Sequence, residues 1–151
     1  MLEQIVHYLI ENRITISTME SCTGGLLASL ITDIPDASTI LKFSAVTYST
    51  DFKIKMGVSK KVIDTYTVYS KETAMEMALA ISDFTKSDLG VGITGRLTSN
   101  VCKEKGVYLC IYDRRVNRYY SEYIPILKNK RSDNKMEVIQ AFVLLFNSTI
   151  K

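Results

Sequence analysis

The sequence predicts an α/β fold: a three-layer α/β/α sandwich around a mixed, mostly parallel sheet that carries a late antiparallel hairpin. Helical and extended patterns alternate early in the chain. Near its end, two β-rich runs are separated only by the basic turn Asp113-Arg114-Arg115-Val116-Asn117-Arg118. The 151 residues, 46% hydrophobic and 23% charged, suffice for one domain with a real core, and no linker, repeat or low-complexity segment divides residues 1–151.

Leu2, Ile5, Val6 and Leu9 recur at helical spacing, so 2–12 reads as a helix with His7 on its polar side. Ile14 to Thr18 is short and β-branched, a strand. Thr23 to Thr32 reads as a helix that stops near Asp33-Ile34-Pro35. Ile40 to Tyr48 is a second extended run, and Asp51 to Met56 and Lys60 to Tyr66 are short helices around Gly57-Val58-Ser59. Ser70 caps a longer helix with Ala74, Met77, Ala78 and Ile81 on one apolar face, and Met75 and Met77 read as core filler. Asp88 to Thr94 is an apolar, glycine-interrupted strand, followed by a polar loop from Gly95 to Gly106. Val107 to Tyr112 and Tyr119 to Ile124 form the hairpin. The last helix, Asp133 to Asn147, turns Met136, Ile139, Phe142 or Val143, and Phe146 inward.

A net charge of +3 is too mild to point to nucleic acid or a membrane surface. No apolar run reaches spanning length and the start lacks a signal-peptide pattern. Cys22, Cys102 and Cys110 are odd in number and unpaired in spacing, which argues against a disulfide framework and for a reducing cytoplasm. One histidine builds neither a typical metal site nor a Ser-His-Asp triad, so no metal or cofactor is expected. Tyr119, Tyr120 and Tyr123 suit either the surface of a homo-oligomer or an ordinary alternating strand.

The chemistry concentrates in Glu20-Ser21-Cys22-Thr23-Gly24-Gly25, a strand-to-helix junction with a hydroxyl, two glycines and free backbone donors. Such a helix start can hold an anion or an oxyanion, or can simply be a capped turn. Ser21 is the best-placed nucleophile, and with no histidine nearby a neutral lysine must serve as base. Val46-Thr47-Tyr48-Ser49-Thr50-Asp51-Phe52-Lys53 ends a strand and opens a helix, so Tyr48 and Lys53 can face Ser21 at the ligand-binding edge of a parallel sheet. On the residues alone Lys53 reads as readily as a solvated helix lysine, and Tyr48 as a strand-end tyrosine with a wet hydroxyl.

Taken in order, these segments resemble the C-terminal domain family of CinA, whose standalone members include nicotinamide mononucleotide deamidases. The likeness runs through Glu20 to Gly25, Val46-Thr47-Tyr48-Ser49 with Lys53, Gly57-Val58, Val68-Tyr69-Ser70-Lys71-Glu72, Gly92-Ile93-Thr94-Gly95 and Gly106-Val107-Tyr108. The resemblance implies hydrolysis of the carboxamide of nicotinamide mononucleotide, so a small pyridine nucleotide is the expected partner. It implies Ser21 as nucleophile, Lys53 as general base and Tyr48 as an aid to proton transfer. Cys22, Thr23, Gly24 and Gly25 would stabilise the oxyanion or line the ligand, and Thr94 and Gly95 would edge the pocket. Arg131 would meet the ligand phosphate, although the family's Gly-Asp-Arg reads Asn129-Lys130-Arg131 here.

After Gly95 the family continues with Ile-Ala-Gly-Pro and a glycine-rich loop, whereas this chain has Arg96-Leu97-Thr98-Ser99-Asn100-Val101-Cys102-Lys103. The altered loop leaves a second reading open, a nucleotide-binding or regulatory module without catalysis. Ser132-Asp133-Asn134-Lys135 matches the Ser-x-x-Lys spacing of penicillin-recognising enzymes, but no Lys-Thr-Gly element accompanies it and Ser132 reads as a helix cap.

Overall fold

Strand alternation sorts this chain into layers. The computed structural model describes residues 1–98 and 106–151. Most of the loop expected between Gly95 and Gly106, with Cys102, lies outside the described residues. Strands β1 (Ile16–Glu20), β2 (Leu41–Val46), β3 (Leu89–Gly95), β4 (Gly106–Asp113) and β5 (Arg118–Pro125) form one sheet in the order β2-β1-β3-β4-β5. β1 runs parallel to both β2 and β3, and the β3–β4 and β4–β5 pairs are antiparallel. Four strands therefore point one way and β4 alone is reversed.

Helices α1 (Leu2–Glu11), α2 (Leu26–Thr32) and α6 (Arg131–Thr149) cover one face. Their Ile5, Leu9, Leu27, Ile31, Phe142 and Phe146 pack on Leu89, Val91, Ile93, Val107, Leu109 and Ile111. The opposite face carries α3 (Thr50–Lys55), α4 (Lys60–Tyr66) and α5 (Lys71–Thr85), with Met77 and Ile81 of α5 against Met19. Period-two alternation sends Leu89, Val91 and Ile93 to the first face and Gly90 and Gly92 to the second. A Cβ on Gly90 or Gly92 would collide with the carbonyl oxygens of Ala78 or Ala74. The two glycines thus let α5 lie directly on the middle of the sheet.

Several boundaries shift from the sequence expectations. β1 begins at Ile16 and runs to Glu20, because Met19 and Glu20 are wholly buried and pair with β2 and β3. The next helix starts at Leu26 rather than Thr23, because Gly24 (φ 63°) and Gly25 (φ 91°) are left-handed. β2 ends at Val46, and Thr47 and Tyr48 leave the sheet toward α3. Helix α6 begins at Arg131 after Lys130, so Ser132 does not cap it. Met136 is 43% exposed instead of inward; Asn134, Val138, Ile139 and Phe142 form the buried stripe. The phase is set by Asn134, whose amide donates to the carbonyls of Leu97 and Lys128 at 3.0 Å each. Tyr119 and Tyr123 stack on their cross-strand partners Tyr112 and Tyr108, with ring centroids 4.8 and 5.1 Å apart.

The single reversal of β4 positions the site. It returns β5 to the direction of β1–β3, so the chain leaves β5 at the edge where β1, β2 and β3 end. Helix α6 therefore starts at this edge and brings Arg131 to the cleft that Ser21 and Gly95 also line.

Candidate active site

Three strand ends form the floor of this edge. Ser21 follows β1 directly and its N–H donates to Ile93 O of β3 at 3.0 Å; Thr47 N–H donates to Glu20 O at 2.9 Å. Ser49 then caps α3, its hydroxyl accepting Phe52 N–H at 3.2 Å. One turn further on, Lys53 points back beneath the floor and is 2% exposed. Its Nζ lies 3.0 Å from Ser21 Oγ and donates to Thr47 O at 2.7 Å. Two groups 32 residues apart in the chain thus share a hydrogen bond inside the protein.

The surroundings of Lys53 suit a base. Burial lowers its pKa from the ordinary 10.5, because the ammonium loses its hydration. A thiolate at Cys22 would push it back up, but burial raises the Cys22 thiol to about 12 and keeps it neutral over the working range. The same burial withholds the reactive thiolate form from Cys22.

Glu20 organises the turn. The carboxylate is 0% exposed and accepts four hydrogen bonds. Oε1 takes Thr23 Oγ1 at 2.7 Å and Leu27 N–H at 3.0 Å; Oε2 takes Ala28 N–H at 3.0 Å and Thr18 Oγ1 at 3.3 Å. The first turn of α2 therefore already holds an anion of the protein's own. Among the described residues, no hydrogen bond joins the N–H of Cys22 or Thr23 to a protein oxygen.

Above Ser21 opens a cleft of about 230 Å³, lined in part by Cys22, Tyr48, Thr94, Gly95 and Arg131. Lys53, Arg96 and Arg131 are its charged lining residues, and no carboxylate joins them among the described residues. The Arg131 guanidinium donates to Thr98 Oγ1 at 2.6 Å and to the Tyr48 hydroxyl at 3.5 Å, and Arg96 sits 4.0 Å over the Tyr69 ring. Tyr48 is 66% exposed at the mouth, and its hydroxyl meets Arg131 rather than Ser21 or Lys53. Thr94 is buried and donates to Val68 O at 2.7 Å. Gly95 passes so close to Gly106 that a Cβ there would collide with its carbonyl. Thr23, Gly24 and Gly25 do not line the cleft: Thr23 serves Glu20, Gly24 faces Lys135, and Gly25 opens α2.

The family profile described as the CinA C-terminal domain matches residues 1–145. The chain belongs to the CinA C-terminal domain family. A protein of Caldanaerobacter subterraneus subsp. tengcongensis, named for competence-damage inducibility, is 48% identical over 96 residues, which make up 62% of this CinA-family chain and 23% of that relative. The CinA-like protein of Desulforapulum autotrophicum is 38% identical over 96 residues, with 63% and 23% covered. The match thus spans 23% of the length of these two curated relatives. The crystal structure of the competence/damage inducible protein CihA from Agrobacterium tumefaciens gives a TM-score of 0.86 at 25% identity, covering 94% of this chain and 91% of that one. The competence damage-inducible protein A from Klebsiella pneumoniae shares the fold, with a TM-score of 0.88 at 16% identity and coverage of 97% and 92%.

Sequence reasoning assigned no role to Glu20, Tyr69 or Thr98 in this CinA-family site. Glu20 carried a faint signal, an acid placed seven residues before the helical amide that it caps. Tyr69 and Thr98 carried none, because each enters the cleft through contacts with an arginine far along the chain.

Proposed function

We propose that this domain is a serine amidohydrolase that converts nicotinamide mononucleotide to nicotinate mononucleotide and ammonia. The observation that carries the reading is the 3.0 Å contact between Ser21 Oγ and a lysine amine buried enough to be a base. The substrate follows from the family resemblance, and the cationic lining of the cleft favours a phosphate-bearing amide over a neutral one.

Neutral Lys53 donates to Thr47 O and turns its lone pair toward the Ser21 hydroxyl. Ser21 Oγ attacks the carboxamide carbon as its proton passes to Lys53 Nζ. Cys22, next to Ser21 in the chain, lines the cleft where the resulting oxyanion would form. The tetrahedral adduct collapses, the C–N bond breaks, and the Lys53 ammonium returns its proton to the departing nitrogen, releasing ammonia. Water then attacks the acyl ester, giving one proton to Lys53, which passes it to Ser21 Oγ; the carboxylic acid leaves and loses water's other proton to solvent as nicotinate mononucleotide. Tyr48 and Arg131 stand at the mouth, where the ribose phosphate would lie.

Ammonia release across a panel of pyridine carboxamides, nucleosides and nucleotides tests this reading. Turnover of the mononucleotide is expected, with a loss of at least about 10³-fold in Ser21→Ala. Undiminished turnover in that variant would remove the mechanism. Calorimetric binding of the nucleotide with no ammonia from the wild type would instead favour the non-catalytic module.

A further inference from the structure

The Ser21–Gly25 turn is intrinsically loose. Two of its five residues are glycines in the left-handed region, and the residue that opens α2, Gly25, has no side chain with which to cap the helix. Yet this turn must hold Ser21 Oγ within 3.0 Å of an amine on a different layer of the fold. The missing cap is supplied from the strand side: Glu20 reaches forward to the amides of Leu27 and Ala28 and to the Thr23 hydroxyl inside the turn. Ser21 is fixed on its other side by the hydrogen bond to Ile93 O, and its own carbonyl accepts Gly24 N–H at 3.0 Å. Remove the carboxylate and the turn keeps its bond to β3 and the backbone bonds of Leu26 and Ser29 to Thr23 and Gly25, but loses the side-chain tie that joins β1 to the amides of Leu27 and Ala28.

We propose that Glu20 is a positioning residue, whose carboxylate hitches α2 back onto β1 and thereby sets the placement of Ser21 against Lys53. Its catalytic consequence rests on the amidohydrolase reading; the hitch itself does not. The Glu20 carboxylate bonds to α2 and the turn, not to Lys53, so the role assigned to it is one of geometry.

Glu20 is wholly buried and its truncation risks the fold, so the leading variant is Thr23→Val, which deletes one donor to the carboxylate and keeps the shape. Its kcat for nicotinamide mononucleotide is expected to fall about 10- to 100-fold with KM within about twofold, since misplaced reacting atoms lose rate rather than binding. Thr23→Ser, which keeps the hydroxyl, recovers most of that loss. Glu20→Gln turns an amide N–H toward a donor and falls at least as far, and the double variant Glu20→Gln/Thr23→Val loses less than the product of the two singles. Hydrogen exchange at Leu27 and Ala28 is expected to speed up in Thr23→Val and Glu20→Gln and to stay slow in Thr23→Ser.

An active wild type with unchanged kcat in Thr23→Val and Glu20→Gln overturns the positioning role. Unchanged exchange in both overturns the hitch. A wild type that releases no ammonia but shows the exchange pattern removes the amidohydrolase reading and leaves the hitch standing.

Discussion

Lys53 is where burial becomes chemistry. A lysine that is 2% exposed, with its pKa below the ordinary 10.5, is less protonated than a surface lysine at any pH near neutrality. The rate of a Ser21–Lys53 enzyme therefore rises with pH as the folded-state Lys53 loses its proton, with the midpoint of the rise below pH 10.5. Lys53→Met should lower kcat/KM by about 10²- to 10⁴-fold and abolish that rise, as read from a pH–rate profile. The same shift governs stability. Between the depressed folded value and 10.5 the unfolded chain binds the extra proton, so wild-type stability increases with pH across that window. Below it the buried ammonium is a constant burden. Lys53→Met is thus expected to melt higher than wild type at neutral pH, with the gap closing as pH approaches 10.5, by thermal denaturation over a pH series.

Elements are set by what they must lie against. Helix α5 rests on the sheet because β3 presents Gly90 and Gly92 where a strand ordinarily presents side chains. Gly92→Ala puts a methyl into the Ala74 carbonyl, and the helix must lift. The expected loss is about 1–3 kcal/mol, seen as a lower urea midpoint with an unchanged slope. Helix α3 is short, from Thr50 to Lys55, yet its start is pinned by Ser49, and that cap fixes the direction in which Lys53 leaves the backbone. In α6 the phase follows Asn134, a buried polar residue hooked to Leu97 and Lys128, rather than the apolar periodicity that would have turned Met136 inward.

Across the whole molecule, topology assembles the site. Parallel pairing puts the ends of β1, β2 and β3 on one edge, and the antiparallel return through β4 adds the start of α6 to it. Arg131 reaches the cleft by this route, 83 residues from Tyr48. Arg131→Ala should raise KM for nicotinamide mononucleotide about 10- to 100-fold and leave kcat within about twofold, while turnover of the phosphate-free nicotinamide riboside stays unchanged, in steady-state assays. The sequence by itself determined the order of helices and strands, the buried apolar stripes of β3 and α5, and the two strand ends that carry Ser21 and lead to Lys53, because periodicity and caps are written in local residue types; Arg131 was singled out only through the family resemblance. It also singled out the Glu20–Gly25 run, of which Ser21 and Cys22 line the cleft and Thr23, Gly24 and Gly25 do not. Only the tertiary structure decided that Lys53 is buried against Ser21, that Tyr48 meets Arg131 instead of Lys53, that Thr23 serves Glu20, and that Glu20 occupies the start of α2. Those are contacts between elements, fixed by strand order and by which polar atoms find a partner once water is gone, and no local pattern records them.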